Sequence, residues 1–296
     1  MLRPMSTGRV RTTILLTALA LVAFAANSLL CRAALAPRTI DPATFTSVRL
    51  VSGALALAMI VRVSRSRGDA AHAAGDARKL HGSWLAATAL FAYAITFSFA
   101  YLRIQAGVGA LIAFGAVQVT MMSGAFFRGE RLRALQWLGL ALALGGLAWL
   151  TLPGASAPDP LGAFLMALAG IAWGVYSLLG RGSANPLAST ARNFLLTLPL
   201  TCAASALAYA SWHTTPRGIV LATLSGAITS GVGYTIWYTA LRGLNASTAA
   251  VAQLSVPILA GVGGVVFLGE TPNARLVTAA LFVLGGIALA LPRVRR

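Results

Sequence analysis

Inside the long apolar stretches of this 296-residue chain, a few side chains have the means to hold a polar or aromatic molecule. Gln253 and Pro257 lie at the middle of the run Asn245 to Glu270. A proline within a helix removes one backbone hydrogen bond and crowds the carbonyl four residues back, here that of Gln253. An amide side chain and a freed acceptor at one level of an apolar run persist only where they face protein or a water-filled cavity. This run is therefore expected to kink at Pro257 and to form one wall of a solute path. Phe24 and Asn27 are three residues apart, as are Trp173 and Tyr176, so each pair shares one helix face. Asn27 either lines a cavity or hydrogen-bonds a neighbouring helix, and both readings stay open. Tyr93, Phe97 and Tyr101 recur every fourth residue, Tyr234, Trp237 and Tyr238 cluster in a later run, and Gln118 is a second amide near the level of Gln253. Tyr and Trp carry a π face and a polar tip on one side chain. Such a lining suits a flat, apolar or aromatic ligand, although the same pattern serves packed cores and membrane interfaces.

Arg49 sits seven residues into its run. A centrally placed arginine costs about 2.5–3.5 kcal/mol on insertion scales, less if it reaches the headgroups. It either faces a vestibule, where it attracts a carboxylate, or snorkels outward; snorkelling or a structural role is the expectation. What is missing bounds the chemistry further. An intramembrane hydrolase needs a nucleophile with a base, or paired aspartates. Ser98 and Ser255 lie in apolar runs but no His or Asp does, so no enzyme is expected. His72, His81 and His213 fall in loops without acids at ligand spacing, which argues against a metal site. No Gly-rich ATP loop with its lysine occurs, and no cofactor is expected. With no acid well inside any run, coupling through a central carboxylate is not expected either.

The elements that must position these residues are membrane helices. The chain is 58% hydrophobic and 10% charged, against about 25% charged in soluble domains, with a mean hydropathy of +0.80. Runs long enough to cross a bilayer are Thr12 to Leu35, Pro42 to Val61, Trp84 to Leu102, Ala106 to Phe127 and Leu135 to Leu152, then Leu161 to Leu179, Thr190 to Ala210, Gly218 to Leu241, Ala246 to Leu268 and Leu276 to Leu291. The expected fold class is an all-α polytopic membrane protein with ten transmembrane helices. Cys31 and Cys202 lie inside apolar runs and read as packing residues.

The net charge of +17 comes from basic residues scattered singly or in small loop clusters. They form no stripe interleaved with base-stacking aromatics, so the expected surroundings are a lipid bilayer and a small-molecule substrate, not nucleic acid. If the N-terminus is cytoplasmic, 16 of the 23 Lys and Arg fall on the cytoplasmic side and 5 on the other. That bias places both termini in the cytoplasm, and in a bacterium the membrane would be the inner one. Arg3, Arg9 and Arg11 before an apolar core, with Ala23-Phe24-Ala25 beyond it, imitate a secretory signal. The run continues to Leu35, so an uncleaved first helix is expected. Oligomeric state is not legible.

The chain repeats itself. Shifted by 140 positions, Ala100–Leu150 lies on Ala240–Ala290, with Phe127, Gly129 and Glu130 falling on Phe267, Gly269 and Glu270, and Gly145-Gly146 on Gly285-Gly286. At other offsets Ser28-Leu29-Leu30-Cys31-Arg32 matches Ser177-Leu178-Leu179-Gly180-Arg181, and Pro42 with Arg49 pairs with Pro186 and Asn193. Two repeats, 1–152 and 161–296 with a linker at 153–160, each hold five spans, an odd number, so the copies must be inverted. Inverted repeats mark secondary transporters, with the substrate near the midplane where the repeats meet. On that reading helices four and nine face each other across a central cavity, although Pro257 has Val117 and Gln253 has Ala113 as counterparts. Glu130 and Glu270 end their helices and are expected to cap or to pair with Arg128, Arg131 or Arg275.

The two five-span repeats, the Gly-Glu pairs closing spans four and nine, the Gly-Gly pairs in spans five and ten, Arg49 and Pro257 together resemble the EamA-type branch of the drug/metabolite transporter superfamily. The resemblance covers nearly the whole chain. It implies a basket of helices around a central cavity and export of amino acids or other small metabolites by alternating access. The aromatic amino acid exporters of that branch are the nearest in kind. Export of drugs or unrelated metabolites, or a non-transporting membrane scaffold, are the alternatives.

Overall fold

The computed structural model describes residues 7–66, 83–127, 133–154, 156–180, 183, 185–244, 249 and 252–290. The helices in chain order are α1 (Thr7–Leu35), α2 (Pro42–Ser66), α3 (Trp84–Tyr101), α4 (Ala106–Phe127), α5 (Ala134–Thr151) and α6 (Pro160–Gly180). They continue as α7 (Pro186–Leu196), α8 (Leu198–Leu207), α9 (Pro216–Thr223), α10 (Gly233–Leu241), α11 (Ser255–Leu268) and α12 (Ala274–Ala290). A π-helical segment, Leu224–Val232, joins α9 to α10. Among the described residues no strand forms beyond one isolated bridge between Ile40 and Thr214. Among the described residues seven stretches are long and apolar enough to cross a membrane, α9 through α10 counting as one, and α11 and α12 are shorter apolar helices. Phe127, Val266 and Leu281 stand on the outer surface, as suits helices whose solvent is hydrocarbon.

Three expected helices are interrupted, two of them at a proline. The run Thr190 to Ala210 breaks at Thr197. Pro199, in the first turn of α8, cannot donate to Leu195 and its ring crowds that carbonyl. The run Gly218 to Leu241 widens into the π segment, where the Thr229 and Ser230 hydroxyls donate to the Ser225 carbonyl at 2.7 and 2.9 Å. The run Ala246 to Leu268 is interrupted just before Pro257 and not merely bent at it. A turn falls at Leu254, and α11 starts at Ser255 with the buried Pro257 in its first turn. There a missing N–H costs nothing, because the first turn has no intrahelical acceptor for it.

Close helix contacts rely on small residues. α5 packs on α12 at Gly139, Gly146 and Gly286, and α6 receives α4 at Gly170 and Gly174. α4 and α11, expected on opposite sides of a cavity, touch at one end: a Cβ on Gly107 would come within 2.8 Å of the Gly261 Cα. α2 lies along the π segment, where a Cβ on Gly226 would fall onto the Arg49 carbonyl oxygen and Ser52 Oγ.

The Gly-Glu pair after α11 works as a cap. Gly269 adopts a left-handed conformation (φ 65°) and the Glu270 N–H donates to the Gly264 carbonyl at 3.0 Å, a helix-ending turn that favours glycine. The turn aims Glu270 at the start of α4, where its carboxylate accepts the Ala106 N–H at 2.9 Å. Its arginine partner is Arg32 (Nε–Oε1 3.2 Å), not the expected Arg275. Arg32 Nη1 also donates to the Tyr101 carbonyl at 2.8 Å. Arg275 instead donates to the Trp149 and Leu152 carbonyls at the end of α5. Glu130, Arg128 and Arg131 lie outside the described residues.

Candidate functional site

Aromatic side chains from five helices meet in one connected chain of rings. On α3, Tyr101 contacts Phe97 and Phe97 contacts Tyr93, with centroids 4.7 and 5.2 Å apart. Tyr93 reaches across to Trp173 of α6 at 4.8 Å, and Trp173 stacks on Tyr234 of α10 at 5.5 Å and 19°. Tyr234 meets Phe24 of α1 at 5.8 Å, and Phe24 meets Trp237 at the same distance. Tyr176 lies against Trp173, and Phe194 of α7 against Tyr234. The periodicities explain the convergence: three- and four-residue spacings put each helix's rings on one face, and these faces point at one another.

Arg49 of α2 enters this group. The expectation that it snorkels is overturned: the residue is 2% exposed, and its guanidinium lies over the rings of Tyr93 and Phe97 at 5.2 and 5.3 Å. Nη2 donates to the Tyr93 hydroxyl at 3.1 Å. Nε and Nη1 are buried with no hydrogen-bond partner among the described residues. The interior rings, whose faces attract a cation, turn the side chain inward.

Asn27 belongs to a polar knot between α1 and the π segment, its Oδ1 accepting from Ser225 at 2.7 Å and Thr229 at 3.2 Å. Of the two uses open for it, interhelical bonding is the one its contacts display. Tyr176 and Tyr238 meet through Thr190 of α7, at 3.4 and 3.1 Å from its hydroxyl. Gln118 and Gln253 are half-buried, and neither makes a side-chain hydrogen bond among the described residues. Arg49, Thr190, Asn193 and Phe194 were left out of the expected site. Asn193, the sequence counterpart of Arg49, is 5% exposed and its Oδ1 is also buried without a partner. Its pairing with Arg49 in the repeat was the available signal.

The EamA-like transporter family model matches residues 11–152 and again 160–291. The chain belongs to this family, within the drug/metabolite transporter superfamily. Family membership and the apolar helices make it a multi-pass membrane protein. The chain is 52% identical over 291 residues to the uncharacterized protein PA1977 of Pseudomonas aeruginosa, covering 97% of each chain. It is 29% identical over 269 residues to the uncharacterized transporter YwfM of Bacillus subtilis, covering 88% of each. A protein known by crystal structure shares the fold with a TM-score of 0.62 at 20% identity, over 92% of this chain and 95% of that one. The family and YwfM point to a membrane transporter of small substrates and away from an enzyme.

Proposed function

We propose that this EamA-family member is a secondary transporter that exports small metabolites, foremost amino acids with aromatic ones included, across the bacterial inner membrane. Ten spans in two inverted repeats, 1–152 and 161–296, alternate access to a site between them, with both termini in the cytoplasm. α7 with α8 forms the seventh span, α9 through α10 the eighth, α11 with the residues before it the ninth, and α12 the tenth. The observation that carries the reading is the ring chain around Arg49. It draws α1 and α3 from one repeat and α6 and α10 from the other, so any ligand lying among these rings touches both halves of a rocking pair. Trp173 is its hub, in contact with Tyr93, Tyr176 and Tyr234.

The test is counterflow of a panel of amino acids into proteoliposomes, with Trp173→Ala and Gln253→Ala beside the wild type. Exchange of at least one amino acid, reduced at least about tenfold by Trp173→Ala through loss of stacking (1.4 kcal/mol per decade), is expected. Folded wild-type protein that exchanges none of them defeats the reading.

A further inference from the structure

We propose that Arg49 is the carboxylate receptor of this site, so that the transported molecule is a monocarboxylate with an apolar or aromatic body, recognised through its acid group and not its amine. The proposal rests on the transporter reading and narrows its substrate class. Among the described residues Arg49 is the one buried cation. None of the three described acids balances it. Asp41 accepts the Thr44 N–H at 2.9 Å, Asp159 accepts the Gly162 N–H at 2.7 Å and pairs with Arg103, and Glu270 pairs with Arg32. All three sit at helix ends. A buried charge without a counter-charge is costly, and two π faces with one phenol offset only part of that cost.

The unpaired capacity has a definite shape. Nη2 gives one of its two N–H groups to Tyr93, while Nε and Nη1, on either side of it, have no partner among the described residues. A guanidinium presents planar edges that match a carboxylate. In this structure the rings of Tyr93 and Phe97 lie against the cation. A bound carboxylate takes one edge, Nε or Nη1 together with the second N–H of Nη2, and its ring lies among Tyr93, Trp173 and Tyr234. The count of charges selects the ligand. The repeat counterpart of Arg49 is the neutral Asn193, so the site carries one positive charge and suits a monoanion better than a phosphate dianion. The described acids are all committed elsewhere, so a substrate ammonium meets only π faces and neutral oxygens.

The experiment is binding, independent of flux, to purified protein in lipid nanodiscs, followed by calorimetry and by tryptophan fluorescence. The probes are 3-phenylpropionate, L-phenylalanine, L-phenylalaninamide and phenyl phosphate. The two carboxylates are expected to bind about ten- to a hundredfold tighter than the amide, the range of a hydrogen-bonded charge pair, with phenyl phosphate weaker than 3-phenylpropionate. Arg49→Gln should abolish the preference. Arg49→Lys, which keeps the charge but not the fork, should reduce it and covers the case in which the glutamine variant fails to fold. Equal binding of acid and amide, tighter binding of the phosphate, no binding of either carboxylate, or an unchanged preference in both variants overturns the proposal. Carboxylate binding without counterflow would count against the transport reading alone. Amino acid counterflow without a carboxylate preference would count against this proposal alone.

Discussion

Replacing Glu270 by Gln tests whether the contact between Arg32, Glu270 and the start of α4 is an energetic clasp or only a surface ion pair. Exposed pairs contribute about 0–1 kcal/mol, but here the two side chains are 19% and 11% exposed and the carboxylate also accepts the Ala106 N–H. The amide can still accept that N–H as a neutral group. It loses the difference between a charged and a neutral hydrogen bond, about 1–1.5 kcal/mol, and the favourable placement of an anion at a helix N-terminus, about 0.3–1 kcal/mol. The expected cost of Glu270→Gln is therefore about 1.5–2.5 kcal/mol. Glu270→Ala also removes the acceptor and should cost about 3–4 kcal/mol, within the range for breaking a buried pair. Arg32→Gln should cost about 1–2 kcal/mol, because its bond to the Tyr101 carbonyl is weakened as well. Combined with Glu270→Gln, the cycle should return a coupling of about 1–1.5 kcal/mol. The assay is reversible unfolding in mixed micelles with increasing dodecyl sulfate, followed by circular dichroism. A coupling within about 0.5 kcal/mol of zero, the scatter of independent sites, would refute the clasp.

Other substitutions test packing and access. Gly226→Ala should destabilise by about 1–3 kcal/mol, since its methyl has no room against the Arg49 carbonyl. Gly285→Ala meets nothing within 4 Å and should be neutral or stabilising by up to about 1 kcal/mol; the same unfolding assay compares them. Asn27→Ala removes the acceptor of the buried Ser225 hydroxyl and should cost about 1–2 kcal/mol. Cys31 is fully buried beside Arg32 whereas Cys202 is exposed. In a Cys202→Ala background, Glu270→Gln should speed maleimide labelling of Cys31 by up to about ten- to seventyfold, the population shift that about 1.5–2.5 kcal/mol produces. No change in that rate would mean that loosening the contact does not expose this end of α1.

Much of the scaffold was legible because lipid imposes simple rules on composition and length. The run Ala106 to Phe127 is α4 as read, and Trp84 to Leu102 differs from α3 by one residue. The aromatic faces were legible from spacing alone, and four helix faces each reduced to two or three positions. What escaped notice was tertiary in origin. The Ser, Gly and Thr residues of Leu224–Val232 read as an ordinary helix, since a π turn depends on hydroxyls reaching back five residues and on α2 pressing against Gly226. Glu270 was seen as a cap, but its arginine could not be chosen, because Arg32 lies 238 positions away and Arg275 only five. The direction of Arg49 is not fixed by the sequence for a related reason. A long side chain near a helix end can turn to either side, and only the rings of Tyr93 and Phe97, supplied by another helix, decide which.

Where the two halves of the chain agree in sequence they supply packing; where they differ they supply chemistry. Gly146 and Gly286, counterparts in the two halves, each bring α5 and α12 close together, a role that symmetry can share. Charge cannot be shared in the same way. An arginine at position 193 as well as 49 would set two buried cations near one ring chain and call for a dianion. Asn193→Arg tests this directly. Without a ligand, a second buried arginine should cost about 2.5–3.5 kcal/mol, read as a lower dodecyl sulfate midpoint. With ligand present, phenyl phosphate should recover more of that loss than 3-phenylpropionate, reversing the order expected for the wild type. If the variant unfolds at the wild-type midpoint and still prefers the monocarboxylate, the number of buried charges is not what selects the substrate.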